Sequence, residues 1–506
     1  MKRSSVLVGA VLVSASLAAC SSSGSAADGT GSGDDATPIR MAVASDPGVL
    51  NPITNATADG QQLALLAYES LVRLPAGAAA EGLLATDWEV TPTSATFTLS
   101  PDATCSSGEP LTASDVKATF EYAADPATGS PFLDVYVPSE GMTVTADDAG
   151  GVVTFAFATP LSFPLETVGQ LPIVCADGLA DPAALDTTTA GTGPYVLDTA
   201  DSGLSYTYTL REDYAEAPTA DMPTTLQVEV VADDATAANM LTTGDLELAL
   251  IGGTDRDRLS GQDLTSVDVS AGPGRIFFNQ APGRATNDLA VREAIAQAID
   301  RDAVGSVSTG GRGEAMTSLM SNSSSVCVGE DNAASIPAHD PDAAEAALSG
   351  AGITLKLLYN SAGGSGITAG VELIQEELAA VGVTVELTPS ASYTDVIFSG
   401  GDWDLVWAPI SAELPSIWAG ILSGDFPPDG GNWTYNANTA YQAAVAEAQQ
   451  LSGEDSCGAW STAEAALFSN VDVLPLWEDT ETFFGSGVEL GVNSNGQLLP
   501  TTLRVG

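Results

Sequence analysis

Between residues 353 and 410 the chain repeatedly switches between two hydrophobic periods, and this alternation limits its architecture more than any other feature. ITLKLLYN reads as a strand. GVELIQEELAAVG sets Val371, Ile374, Leu378 and Val381 on one helical face and closes at Gly382. VTVEL is a second strand, and YTDVIFSGG and DLVWAPI give another helix and a third strand. Strand–helix–strand units of this spacing join parallel neighbours through right-handed crossovers, so this part of the chain is α/β. At 506 residues the chain exceeds one ordinary core, and two or three lobes are expected.

Upstream the pattern differs. Order begins at IRMAVASDPGVLNP, where Ile39, Met41 and Val43 alternate. Thr96–Leu99 and GVVTFAFATP alternate in the same way. Between them LTASDVKATFEYA predicts a helix with Thr112 as N-cap, Asp115 three residues on, and Val116, Phe120 and Ala123 inward. In TTGDLELALI, Gly244 separates a helix end from a strand. NDLAVREAIAQAID carries Val291, Ala294, Ile295, Ala298 and Ile299 at helical spacing, with Asn287 as the expected cap.

The start of the chain reads as a processing segment. Lys2 and Arg3 precede an apolar stretch of 14 residues, Val6 to Ala19, which is too short to span a bilayer and fits a secretory signal. It ends in Leu17-Ala18-Ala19-Cys20, which resembles the lipobox of bacterial lipoproteins. That resemblance implies removal of residues 1–19 and lipidation of Cys20. Residues 21–37 form a Gly/Ser-rich tether with a root-mean-square reach of about 20–25 Å. The expected location is the extracytoplasmic face of a bacterial cell membrane.

With Cys20 set aside, Cys105, Cys175, Cys327 and Cys457 form an even set in an oxidising compartment. Three pairings are possible; Cys105–Cys175 with Cys327–Cys457 is favoured because each pair stays within one half of the chain. A zinc site would need more nitrogen or thiolate ligands than the lone His339 and a chain without CxxC provide, so no metal or cofactor is expected. The 66 acidic against 15 basic residues give a net charge of −51. Such a field repels phosphate and makes nucleic acid and anionic head groups poor partners.

Catalytic signals are weak. Ser114 and Lys117 have the S-x-x-K spacing that places a hydroxyl beside an amine on a helix, and a secreted serine enzyme using that pair is one alternative reading. No K-T-G or S-D-N partner follows, no G-x-S-x-G occurs, and STGGRG lacks the lysine of a phosphate loop. The chain is therefore read as a non-enzyme. Trp403, Trp407, Trp418, Trp433 and Trp460 crowd the last third with Tyr393, Tyr435 and Tyr441, as either core or pocket wall.

A set of stretches in fixed order then resembles the oligopeptide/dipeptide/nickel family of extracytoplasmic solute-binding proteins. They are LNPITNATADGQQLALLAYESLV, LLATDWEVTPTSATFTLSPDATCSSGEPLTASDVKATFEY, GTGPYVL, REDYAEAP, IFFNQAPGRATNDLAVREAIAQAIDRDAV, DPDAAEAALSGAG and LPLWEDT. The resemblance implies a bilobal periplasmic-binding-protein-like α/β fold, with a first lobe over 38–270, an extra subdomain at about 65–188, a second lobe over 271–470 and a return over 471–506. It implies a monomeric receptor of an ABC importer that closes on a peptide or other small solute and docks on permease subunits. The ligand-lining residues it implies are Asn55, Asn279, Arg284, Trp407, Ser411, Glu413, Trp418 and Tyr435. Peptide-binding members carry a Trp followed shortly by an Asp that pairs with the peptide ammonium. Here the stretch is Trp407-Ala-Pro-Ile-Ser-Ala-Glu-Leu-Pro415, with Ile410 or Ser411 at that place. Glu413 is then the expected cation anchor, unless the ligand has no free amine there, and Arg284 a carboxylate partner. A tethered sensor or adhesin on the same fold is the other alternative.

Overall fold

The computed structural model describes residues 38–506 apart from positions 77, 139–140, 216–220, 322–325, 328–330, 362–363, 409–411, 413 and 428–429. The signal segment, the tether, Cys20, Ser411 and Glu413 lie outside the described residues.

Strand β1 (Ile39–Val43) opens the main sheet, and the chain then leaves it to build a separate antiparallel sheet. That sheet has the order β2 (Ala85–Thr91), β3 (Ser94–Leu99), β5 (Val152–Phe157), β4 (Met142–Asp147). Helix α1 (Ala113–Ala124) packs on it through Val116, Phe120 and Ala123, all fully buried, with Phe120 edge-on to Phe155. Its start is a capping box: Thr112 Oγ1 accepts from Asp115 N, and the Asp115 carboxylate accepts from Thr112 N at 2.8 Å. The disulfide Cys105–Cys175 closes this region.

The chain returns to β1 through β6 (Tyr195–Asp201), β7 (Ser205–Leu210), β8 (Thr225–Val230) and β9 (Leu248–Ile251), with β8 and β9 parallel to β1 on either side. Gly244 supplies the left-handed residue (φ 75°) between a helix and β9, a conformation costly for a residue with a Cβ. Two long strands, β10 (Thr265–Phe278) and, near the C-terminus, β14 (Val473–Gly485), then carry the chain into and out of a second region. There β11 (Thr354–Asn360) lies parallel to both β12 (Thr384–Ser390) and β13 (Leu405–Trp407). The main sheet runs β12–β11–β13–β10–β14–β9–β1–β8–β7–β6. The expected crossover helix, Gly364–Ala380, buries Val371, Ile374 and Leu378 completely.

Apolar side chains gather into two large cores, one on each side of the β10/β14 pair, and a smaller cluster behind β9. β10 and β14 pair from Thr265↔Gly485 to Phe277↔Val473, but the register breaks between Ala271 and Arg275. Each core thus has its own well-paired stretch of ribbon, and the irregular residues lie between them. The disulfide Cys327–Cys457 closes within the second region, so the favoured pairing is the one found.

One cap differs from expectation. Helix Leu289–Ala298 is capped by Asp288, which accepts from Ala290 N, because Asn287 belongs to a preceding turn and turns its amide to Gln280 O. On the same helix Arg292 is buried, donates to the carbonyls of Asn470, Val471 and Thr286, and lies 3.6 Å from Asp472. Burial lowers its pKa.

Candidate functional site

Strand direction locates the site. In the first lobe Ile251, at the end of β9, pairs beside Thr482; in the second, Trp407, at the end of β13, pairs with Ile276. Both positions lie toward the register break in β10, so the carboxyl ends of the parallel strands of both lobes face the crossover. In open α/β sheets ligands bind in the crevice outside those ends.

The first-lobe side is rich in carboxylates. Gly252 follows β9, and its N–H donates to Asp234 Oδ2 at 3.1 Å; a Cβ there would come within 3.2 Å of Glu481 Cγ. Glu481 lies on β14, and its pKa is raised by burial and by the nearby Asp234 and Asp479. Burial likewise raises Asp479. Helix α2 (Gly253–Leu259) adds Arg256, which donates to Thr482 Oγ1 at 2.6 Å and to Asp268 at 3.1 Å. Arg312, from the second region, reaches Asp257 of α2 at 3.7 Å and Asp479 at 3.8 Å. At the rim Asp46 accepts from Tyr206 and Ser202, and the bond from Tyr206 leads in lowering its pKa.

A second contact joins the lobes away from the ribbon. Ser162 Oγ donates to Ala448 O at 2.9 Å, and Gly453 N donates to Ser162 O at 2.7 Å. The next residue, Phe163, is 1% exposed; its ring belongs to the second core and stacks near Trp460 with centroids 6.5 Å apart. Both partners come from the helix pair α6 (Thr439–Ala448) and α7 (Cys457–Ser469) or the loop between them.

The expected ligand-lining residues divide. Trp407 and Trp418 lie on the second-lobe side near the crossover, but both are buried. Trp407 is wedged between Gly274 and Gly370, where a Cβ on either would come within 2.9 Å of the indole. Trp418 is on helix α5 (Pro415–Leu422), which follows α3 (Leu289–Ala298) and α4 (Gly364–Ala380) in the chain; it stacks on Phe277 and lies under the Arg275 guanidinium at 4.8 Å. Asn55 lies in the loop after β1, where its amide donates to Pro47 O and Val49 O and its carbonyl accepts from Thr57.

Asn279, Arg284 and Tyr435 are placed apart from Trp407 and Trp418: they gather at the opposite pole of the second lobe. β10 crosses the whole lobe, and the residues after it emerge at the amino end of β13. There Asn279 bonds Trp403 O, Arg284 pairs with Asp402 at 2.8 Å and Asp404 at 3.1 Å, and Tyr435 packs on Phe426. The Ser114–Lys117 pairing is not made either. Ser114 Oγ donates to Asp148 Oδ2 at 2.8 Å, while Lys117 Nζ lies 3.7 Å from Glu121. The sequence reading missed Asp234, Glu481 and Arg312 at the crossover; acids inside an apolar strand, as in LPLWEDTETFF, are the signal that points to them.

Residues 79–441 match the bacterial extracellular solute-binding proteins, family 5 Middle. This chain belongs to that family. A candidate ABC-transporter peptide-binding protein of Brucella ovis is 26% identical over 371 residues, which cover 68% of this chain and 66% of that relative. The match thus spans just under two thirds of that relative's length. A substrate-binding protein of Microbacterium hydrocarbonoxydans, solved with 4-hydroxybenzoate hydrazide, is 28% identical; the alignment covers 93% of this chain and 100% of that one, with a TM-score of 0.75. Haemophilus influenzae OppA, solved with the peptide RPPGFSPFR, shares the fold at a TM-score of 0.71 and 17% identity, over 93% and 99% of the two chains.

Proposed function

We propose that this family 5 protein is the lipid-anchored substrate-binding receptor of an ABC importer. It captures a peptide or peptide-like solute between its lobes by hinge closure and delivers it to the permease. The observation that carries this reading is the β10/β14 ribbon, whose register breaks between two separate cores. An irregular two-strand link can bend without disturbing either core, and a ligand that touches both lobes favours the closed arrangement by its extra contacts there. The relatives point the same way: one carries a peptide, another an aryl hydrazide, in the same fold.

Cys20 would hold the receptor at the extracytoplasmic face through its lipid, and residues 21–37 would let it turn toward the permease. The carboxylates at the crossover suit a ligand with a cationic end, and Glu413 is the proposed anchor from the second lobe. The solute leaves chemically unchanged.

The test is native mass spectrometry of the purified protein, with the bound solute identified after denaturation and then added back during small-angle scattering. The expected result is a co-purified peptide-class solute that contracts the protein. For an amine-bearing solute, Glu413→Gln should weaken binding at least tenfold. A released solute that leaves the scattering unchanged would refute closure and favour the sensor or adhesin reading.

A further inference from the structure

The second lobe contains a small cavity, about 30 Å³ of enclosed room behind an open mouth, between α5, α6, α7 and the segment around Leu319. Three of its lining side chains share an uncommon property. Trp418 Nε1, Trp460 Nε1 and Tyr441 Oη are all buried, and none has a hydrogen-bond partner among the described residues. The three residues are only 2%, 4% and 2% exposed. Each orphaned buried donor costs on the order of 1–3 kcal/mol, and native proteins leave few of them, so three in one cavity call for an occupant.

The surrounding chemistry narrows that occupant. The walls are apolar and polarizable: Met320, Pro415, Leu467 and the sulfur of Cys327. Among the described residues no basic side chain lines the cavity; Arg275 lies behind the Trp418 ring, so an incoming carboxylate would meet the Glu464 carboxyl before any cation. A cation fares little better. Both oxygens of Glu464 already accept bonds, from Ser318 Oγ at 2.9 Å, from Leu319 N and from the Asn332 amide. An ammonium would also meet the electropositive N–H edges of two indoles. What remains is a neutral group rich in acceptors.

We propose that this cavity is a subsite for a neutral carbonyl group of the solute, a carboxamide or peptide carbonyl, held by the indole N–H groups of Trp418 and Trp460 and the hydroxyl of Tyr441. It deepens the receptor reading and rests on it. The described lining residues all belong to the second lobe, but Phe163 of the first lobe stacks beside Trp460, one of the walls, and this contact would couple occupancy to the meeting of the lobes.

Amide-detected NMR of the whole protein tests this directly, because seven tryptophans give seven indole N–H signals. Trp418→Phe and Trp460→Phe assign two of them. Benzamide is the probe; benzoate, benzylamine and toluene are the controls. Benzamide should shift both signals downfield in a saturable way, the controls should not, and Trp460→Phe should weaken benzamide about fivefold, the worth of one hydrogen bond. Equal shifts with toluene would overturn the proposal. So would long-lived water cross-peaks at both indoles that benzamide leaves in place. If one variant fails to fold, the other still assigns its own signal, and the four probes are compared at that signal in the wild-type protein. A co-purified solute that contracts the protein without moving the two signals sinks the subsite and leaves the receptor reading standing. Saturable benzamide binding with no solute-driven contraction supports the subsite and refutes the receptor reading.

Discussion

Replacing Phe163 by Ala should shift the protein toward a more open form. Its ring is almost fully buried, and the atoms that bury it belong to the second core rather than to its own lobe. Separating the lobes would return that ring to water at a cost of about 2–3 kcal/mol. The two bonds at Ser162 add about 0.5–1.5 kcal/mol each, whereas the Arg312–Asp257 pair adds little because Asp257 is largely exposed. Phe163→Ala removes the largest of these contributions, so the open-to-closed ratio should rise roughly 30- to 150-fold at 1.36 kcal/mol per decade. Spin labels on α2 and α6 would report it as a longer distance between the lobes in the solute-free protein. Ser162→Ala should give a smaller shift, about fivefold. An unchanged distance distribution in a Phe163→Ala protein that melts like the wild type would show that this contact does not hold the lobes together.

Other expectations can be checked with ordinary denaturation. Exchanging both cysteines of either disulfide for serine should lower unfolding stability by about 2–5 kcal/mol, since each bond closes a long loop; a urea midpoint that does not move would refute this. Thr112→Ala removes one half of the capping box and should cost about 1 kcal/mol, read from the urea transition of the first lobe. Glu377 has its pKa pushed up to about 7, chiefly by burial. Its folded value lies above the unfolded value near 4.5, so wild-type stability should fall as pH rises between those limits and stay reduced above 7. Glu377→Gln should therefore gain stability at pH 8 and show no gain at pH 4; an equal effect at both would refute the assignment.

Local elements were legible in the sequence because one side chain or one period decides each of them. Val371, Ile374 and Leu378 could face only a core at helical spacing, and Thr112 with Asp115 could hardly do anything but begin a helix. The pairing of the cysteines followed from keeping each bond within one half of the chain. The site was less legible, for a geometric reason. Asn279 and Arg284 follow a strand that enters the second lobe at the crossover and leaves it at the far pole, so closeness in sequence to the crossover said nothing of closeness in space. Glu481 was hidden among 66 acids, since nothing in a count separates a buried carboxylate from a solvated one. Tyr441 and Trp460 meet only because α6 and α7 pack together, and Arg292 sits inside a helix whose apolar pattern gave no place to a charge.

The position of β14 has a consequence for how the chain is made. It lies between β10 and β9 in the middle of the main sheet, yet it is the last long strand to be synthesised. Until it arrives, β9 keeps an open edge and the first lobe lacks Phe483 and Phe484, which pack on either side of the sheet. A nascent chain therefore cannot finish its first lobe before its last segment has emerged. That delay makes loss of the final 40 or so residues severely damaging, because an unpaired central strand invites aggregation.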